Sequence, residues 1–318
     1  MCLCNVVNTD GPELDVHALR TMQAIADTGS LTAAAESLGY SQPALSQQLR
    51  RWEQRLGVPL VERAGRRLRL TAAGRVLARH AAPVTTALEA AAGELAALSG
   101  LQAATVRVVG FPSASPTIVP RLISLLAEHA PGITLTYVEE EPPEAVAAVR
   151  ADRADVALTF SHPGDRDDPH GESARGLAVE TIGSDDLLLV VPEDHPAALR
   201  DAVRLSELSD AAWIAGCPRC RGHLLEVCGR AGFTPRIGFE TDNIAAVESL
   251  VAQGIGVATL PRLALTSFPP LPGIVWRPLE DGHVRTLHAV TARGGERVPA
   301  VAAVLDGLRR AVSAATGT

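Results

Sequence analysis

The chain holds 318 residues with a net charge of −7, and all 29 of its basic side chains are arginine. That length exceeds one ordinary hydrophobic core and suits two or three domains. There is no run of about 18 apolar residues and no basic flank leading into an apolar stretch, so the cytoplasm is the expected location, with no membrane partner. The five cysteines, Cys2, Cys4, Cys217, Cys220 and Cys228, are odd in number and widely spread, which excludes a small secreted fold stapled by disulfides. Charge is uneven: residues 46–80 carry nine arginines against Glu53 and Glu62, a local balance of +7, whereas everything beyond residue 80 sums to −10. A basic block on an acidic body marks a polyanion-binding end.

In chain order, Val16, Leu19, Met22 and Ile25 recur at helical spacing and predict a first helix that stops at Thr28-Gly29. Ser30 is placed to cap a second helix, Leu31 to Leu38, with a tight turn at Gly39-Tyr40. A third helix opens at Ser41-Gln42-Pro43, where proline is tolerated because first-turn amides have no helical partner. Its Leu45, Leu49, Trp52 and Leu56 make one apolar stripe for a core. Pro43, Ser46, Gln47, Arg50 and Gln54 fall on the opposite face, with Gln42 at the exposed end. Amides match adenine, arginine matches guanine, and an apolar edge meets a thymine methyl; a face of this kind without acids is what a helix in a major groove requires. Farther on, Leu68 and Leu70 alternate with Arg67 and Arg69, which suits a short hairpin, a wing, whose polar side faces phosphates.

Gly29-Ser30-Leu31-Thr32-Ala33-Ala34-Ala35, Ser41-Gln42-Pro43-Ala44-Leu45-Ser46, Leu56-Gly57 with Pro59-Leu60, and Arg63 followed by Leu70-Thr71-Ala72-Ala73-Gly74 match a known signature in order and spacing. By these motifs the chain resembles the LysR-type transcription regulators. Val61 stands where that family has Phe before the wing, and Trp52-Glu53 where Leu-Glu is frequent; both departures are mild. The resemblance implies that Gln42, Pro43 and Ser46 reach base edges, while Thr32, Arg50, Arg63 and Arg66 contact phosphate or the minor groove. Gln47 belongs to the same DNA-binding set.

From Thr71 to about Ser99 the chain is Ala-rich, and Leu77, Val84, Leu88, Leu95 and Leu98 recur near heptad spacing. A helix of about 28 residues, ~40 Å long, is unstable in water unless its apolar stripe is covered. No neighbouring segment offers itself as a partner, so pairing with a second copy is expected. The resemblance implies the same, a linker helix that spaces two DNA-reading domains. Pro83 and Gly93 are places where it would bend.

Beyond Ser99-Gly100 short apolar strands alternate with helices: Thr105 to Val109, Ile133 to Val138, Val156 to Phe160, Leu187 to Val191, Ile237 to Glu240, Gly256 to Leu260 and Leu287 to Thr291. This alternation predicts a mainly parallel sheet. It is similar to the two-lobed periplasmic-binding-protein fold of LysR effector domains. The expected organisation is therefore an all-α winged helix-turn-helix over residues 14–72, a linker helix over 73–103, and an α/β effector domain over 104–318. Lobe 1 would hold 104–183 and 279–318, and lobe 2 would hold 184–278.

Ligands of such folds bind at strand carboxyl ends. The first strand ends in Gly110-Phe111-Pro112-Ser113-Ala114-Ser115-Pro116-Thr117, with Ser115 placed to cap a helix opened by Pro116, an arrangement that suits an anion. The family often has an effector-binding hydroxyl where Ser113 stands. Ser113, Ser115, Thr117, Gly216, Asp242 and Asn243 form the expected effector set. The expected partners are operator DNA, a small effector with an anionic group, a further copy of the chain as dimer or tetramer, and RNA polymerase; no cofactor and no catalysis are expected.

Other clusters carry weaker signals. His162, Asp165, Asp167, Asp168 and His170 have no known ligand spacing and read as a solvated connection between lobes. Glu139-Glu140-Glu141 before two prolines reads as an exposed loop. Cys217, Cys220, His223 and Cys228 could supply zinc ligands or a thiol switch; peroxide-sensing LysR members use two cysteines in this region, yet inert packing is the favoured reading. An enzyme is disfavoured because no phosphate loop, nucleophile elbow or paired carboxylates occur at informative spacing. A solute-binding protein would have no use for the first 80 residues.

Overall fold

The computed structural model describes residues 14–64, 67–98, 104–166 and 170–317. Its N-terminal part comprises α1 (Val16–Thr28), α2 (Leu31–Ser37), α3 (Gln42–Leu56), β1 (Val61–Ala64), β2 (Arg67–Leu70) and α4 (Ala72–Leu98). Each of the three short helices begins on a side chain that accepts a first-turn amide: Asp15 from Ala18, Ser30 from Ala33 and Ser41 from Ala44. Gly29 and Gly57 close α1 and α3 in the left-handed conformation, which spares a side chain the steric cost of that region. Met22, Ile25, Leu45, Leu49, Trp52, Leu60, Leu70, Leu77 and Ala81 form one core. Gly74 lets α4 start against the chain leaving α3, since a Cβ there would lie 2.2 Å from the Leu60 carbonyl oxygen.

The long helix α4 is continuous through Pro83. Contrary to the expectation that nothing in the chain would cover it, α1 packs along its first half, burying Leu77 and Ala81. The second half leaves Leu88 and Leu95 exposed, at 53% and 64%.

The C-terminal part runs β3 (Ala104–Gly110), α5 (Ile118–His129), β4 (Ile133–Glu139), α6 (Pro142–Arg150), β5 (Val156–Ser161), α7 (His170–Ser173), β6 (Ala178–Pro192), β7 (Ala212–Ala215), α8 (Pro218–Arg230), β8 (Arg236–Glu240), α9 (Ile244–Ala252), β9 (Ala258–Pro261), α10 (Arg262–Leu265), β10 (Ile274–Pro278), β11 (Val284–Thr291) and α11 (Pro299–Thr316). The main sheet has the order β10-β6-β11-β5-β3-β4, with β9 also on β6. It is mixed, which corrects the mainly parallel expectation: β3 runs parallel to β4 and β5, while β11 with β5 and β6, and β6 with β9 and β10, are antiparallel.

The difference comes from β6, a 15-residue strand that both lobes share. Its residues Ala178–Asp186 pair with β11 in lobe 1. Residues Leu187–Pro192 pair with β9 and β10 in lobe 2. The second half is the apolar run visible in the sequence, with Leu189 and Val191 in one core and Leu188 and Val190 in another. The first half has only Val179 and Ile182 as large apolar residues, so no apolar run marks it as a strand. β7 and β10 escaped the sequence reading as well.

Candidate nucleic-acid interface and interlobe cleft

On α3 the apolar stripe points inward: Leu45 and Leu49 are buried, as is Trp52, whose Nε1 donates to Asp15 Oδ2 at 2.9 Å. The same carboxylate caps α1 through the Ala18 amide and pairs with Arg55 at 3.0 Å, so one side chain sets the angle between α1 and α3. Glu53, an acid inside the basic block, turns inward to accept the Leu60 amide at 2.7 Å. Its removal from the surface leaves Thr32, Gln42, Pro43, Gln47 and Arg50 exposed, with Ser46 half-buried among them. Arg63, on β1, is exposed too. Among the described residues neither Arg50 nor Arg63 takes part in an ion pair; Arg66 lies outside the described residues.

The cleft is built around an ion pair the sequence did not reveal. Arg285 of β11 and Asp185 of β6 face each other in register where the two strands cross between lobes. Arg285 Nη2 and Nε donate to Asp185 Oδ2 at 2.8 and 3.0 Å, and the two side chains are 4% and 1% exposed. Burial pushes the Asp185 carboxyl up, against the pull of Arg285 and of the Leu263 amide at the start of α10. The guanidinium lies 4.7 and 4.8 Å from the ring centres of Phe111 and Phe160, a cation–π setting. Phe111 and Phe160 pack edge to face beneath it, so the base of the cleft is filled by side chains.

Ser113 reaches this centre: its Oγ accepts from Arg285 Nη2 at 2.6 Å, and it is buried. Other expected effector residues are spent elsewhere. Ser115 does not cap a helix, because residues Pro112–Ala114 form a 3-10 turn and α5 starts two residues late. Its hydroxyl instead donates to Glu139 Oε2 at 2.7 Å and lies 3.1 Å from the Tyr137 hydroxyl, whose pKa burial pushes up to about 12. Thr117 donates to the Ser113 carbonyl, and Asn243 caps α9 through the Ala246 amide. Gly216 lies against Cys220, where a Cβ would come within 3.2 Å of the Cys220 Cβ.

Glu141 is not part of an exposed loop. It sits half-buried ahead of α6, within reach of Cys217, Arg285 and Asp242. Burial, then the neighbouring Cys217 sulfur, holds its carboxyl up at about 8. Its Oε2 is buried without a hydrogen-bond partner among the described residues.

The four candidate zinc ligands do not converge. Cys217 precedes α8 and Cys220 lies in its first turn, with the sulfurs 3.3 Å apart. Cys228 is packed into the lobe 2 core, where burial pushes its thiol up to about 12. His223 turns away: its Nδ1 bonds Asp165 Oδ2 at 2.8 Å. Against a carboxylate oxygen, Nδ1 must be the nitrogen that carries the proton. Among the described residues no group of three or more His, Cys, Asp or Glu is placed to hold a metal.

The acid- and histidine-bearing run is corrected in part: Pro163, Gly164 and Arg166 are exposed, but its histidines and Asp165 are packed. His162 and His170 are each 4% exposed, and Arg230 joins His223 on Asp165. His162 stacks on His223 with ring centres 4.0 Å apart. Burial, with the charges of His223, Arg285 and Arg219, holds His162 down at about 2, a neutral imidazole. His170 stacks on His288 and bonds Thr159. Asp167 and Asp168 lie outside the described residues.

Arg285, Asp185, Glu141, Phe111 and Phe160 are thus the cleft residues that sequence reasoning missed. Only Glu141 had a local signal, an acid just past the carboxyl end of a strand.

Comparison with known proteins bears on both regions. The model of the bacterial regulatory helix-turn-helix protein, lysR family, matches residues 16–75, and that of the LysR substrate binding domain matches residues 99–313. The HTH-type transcriptional regulator BudR of Raoultella terrigena is 27% identical over 298 residues, covering 92% of this chain and 99% of its own. A probable hydrogen peroxide-inducible genes activator of Mycobacterium avium is 31% identical over 255 residues, 79% of this chain and 78% of its own. In fold, a full-length OxyR variant from Pseudomonas aeruginosa superposes with a TM-score of 0.68 at 23% identity, covering 93% of this chain and 95% of that one. No helix among the described residues is long and apolar enough to cross a membrane.

Proposed function

Since this chain belongs to the LysR family of transcription regulators, we propose that α3 enters the major groove of operator DNA and that the interlobe cleft governs the outcome of binding. The observation that carries the reading is the exposed, acid-free face of α3, with Arg50, and Arg63 on β1, in no ion pair among the described residues. Gln42, Pro43, Ser46 and Gln47 meet base edges, while Thr32, Arg50, Arg63 and Arg66 hold the phosphates. Residues 14–72 act as the reading domain, 73–103 as the linker, and 104–318 as the sensor. Exposed Leu88 and Leu95 are then the stripe that a second copy covers. The protein works in the cytoplasm and by binding, without turnover. The effector is a small molecule taken near Ser113, Gly216 and Asp242. Because Arg285 is already engaged there, binding proceeds by exchange of Arg285 partners in preference to filling an open pocket.

Fluorescence anisotropy of the full-length protein on the DNA upstream of its own gene, against scrambled DNA, tests the reading. Affinity is expected to fall steeply with salt. Gln42→Ala should lose about 1–3 kcal/mol of discrimination at one position of each half-site, and Arg63→Ala should weaken every sequence alike. Equal affinity for native and scrambled DNA would overturn it.

A further inference from the structure

A second cavity, of about 340 Å³, lies apart from the residues of the cleft, where lobe 2 hands the chain back to lobe 1. Its walls come from three places. Pro163 stands on the loop leaving β5, Leu205 and the α8 residues His223 and Val227 belong to lobe 2, and Asp281 and His283 lie on the return into β11. None of them is in the expected effector set. The volume suits a small molecule, and a junction of this kind is a usual place for one.

The wall holds one buried polar atom that nothing satisfies. The side chain of His223 is 7% exposed, and its Nδ1, held by Asp165 at 2.8 Å, carries the proton. In the neutral ring the other nitrogen is then an acceptor, and this Nε2 is buried with no hydrogen-bond partner among the described residues. Such an atom costs stability until a donor reaches it. His162 covers one face of the ring, with centres 4.0 Å apart, and His283 meets it edge to face at 5.9 Å. Burial, then the neighbouring His223, holds His283 below the usual imidazole range, so it too offers a lone pair at neutral pH. Arg230, the cation of the wall, is spent on Asp165 and on the Gly164 carbonyl. Asp281 is exposed and in no ion pair among the described residues. The wall thus leaves unspent two imidazole lone pairs and one carboxylate, all acceptors, beside the apolar Leu205 and Val227.

We propose that this cavity binds a small primary ammonium, whose three N–H groups go to His223 Nε2, a ring nitrogen of His283 and the Asp281 carboxylate, with its alkyl part against Leu205 and Val227. The match is one of number and sign. An ammonium has three donors and no acceptor, whereas a carboxylate would bring more acceptors to a wall already made of them. A metal ion fits less well, because no three His, Cys, Asp or Glu among the described residues are placed to hold one. Asp165 is the positioning residue, fixing the His223 tautomer from behind. An occupant would join α8 of lobe 2 to the segment that enters β11 of lobe 1. The site goes beyond the cleft reading and requires neither Ser113 nor bound DNA.

The test titrates the full-length protein, carrying carbon-13 histidine, with n-butylammonium at pH 8 and follows the histidine ring signals by NMR. The signals of His223 and His283 should move and saturate, while n-butanol and butyrate should leave them in place. Asp281→Asn should weaken binding about tenfold or more. His223→Phe, which keeps a ring against His162 but has no lone pair, should abolish it. Because Asp281 is exposed, Asp281→Asn decides the matter if His223→Phe fails to fold. No movement up to the highest amine concentration, an equal response to butyrate, or unchanged affinity in Asp281→Asn overturns the proposal. Zinc is titrated in a parallel arm, and zinc that moves the same two signals in a protein indifferent to the amine overturns it as well.

Discussion

The DNA-reading end and the cleft use the same polar chemistry in opposite ways. Along α3 the donors come from one short stretch of chain, face outward, and remain unspent within the protein. In the cleft, Arg285 is satisfied by Asp185, 100 residues away, and by Ser113, 172 residues away. A surface meant for a large external polyanion can leave its charges in water at little cost. A charge buried between lobes must be paired at all times, so a cleft of this kind responds by trading partners.

The strongest way to break this contrast is Arg285→Ala. It leaves the Asp185 carboxyl buried without its cation and should cost about 3–5 kcal/mol of stability, read as a lower urea midpoint. Arg285→Met combined with Asp185→Leu should recover most of that loss. Arg50→Ala, out on α3, should stay within about 0.5 kcal/mol. Similar losses for Arg285→Ala and Arg50→Ala would erase the distinction.

A smaller effect probes the one place where the reading end behaves like the cleft. Asp15 is an N-cap that also holds Trp52 and Arg55, so Asp15→Ala should cost about 1–2 kcal/mol and shift Trp52 emission to the red as water reaches the indole. Loss of stability with unchanged emission would confine Asp15 to capping.

The mildest effect sharpens the picture of the cleft. Glu141 is held up at about 8 from an ordinary 4.5, so the folded protein keeps a proton that the unfolded chain releases above pH 4.5. The Glu141 contribution to stability should therefore fall as pH rises from 4.5, against the rise up to pH 6.5 that comes from His162, held down from 6.5 to about 2. Cys217, lowered from 9.0 to about 6, contributes in the opposite sense to Glu141 from pH 6 upward, and the two slopes oppose each other up to pH 8. Between pH 4.5 and 6 the stability of Glu141→Gln should rise with pH relative to that of the parent, because the Glu141 contribution is gone. Equal slopes in parent and variant would remove Glu141 from the account.

How much of this was legible follows from the range of each interaction. The stripe Leu45, Leu49 and Trp52, the cap at Ser30 and the glycine stop at Gly29 obey rules spanning three or four residues, and they stand where the sequence puts them. The apolar run Leu187 to Val191 was also readable as a strand. Asp15 looks like any acid before a helix; its hold on Trp52 and Arg55 depends on how two helices cross. Arg285 and Asp185 are ordinary charges in their own segments, and only the pairing of β6 with β11 brings them together. The run from His162 to His170 misled for the same reason, since α8 supplies the partners of His162 and Asp165, and β5 and β11 supply those of His170.

The strand β6 has a consequence for the order in which a growing chain can fold. Lobe 1 needs β11 between β5 and β6, yet β11 is made only after all of lobe 2. On the ribosome, lobe 2 can therefore assemble while lobe 1 still lacks a central strand, with Leu158 and Phe160 of β5 awaiting the cover they have in the finished core. Such late, distant pairing is slow and prone to aggregation. Synthesis that pauses between residues 192 and 284 would prolong the exposure of that open edge, making this interval the one in which a chaperone is most needed.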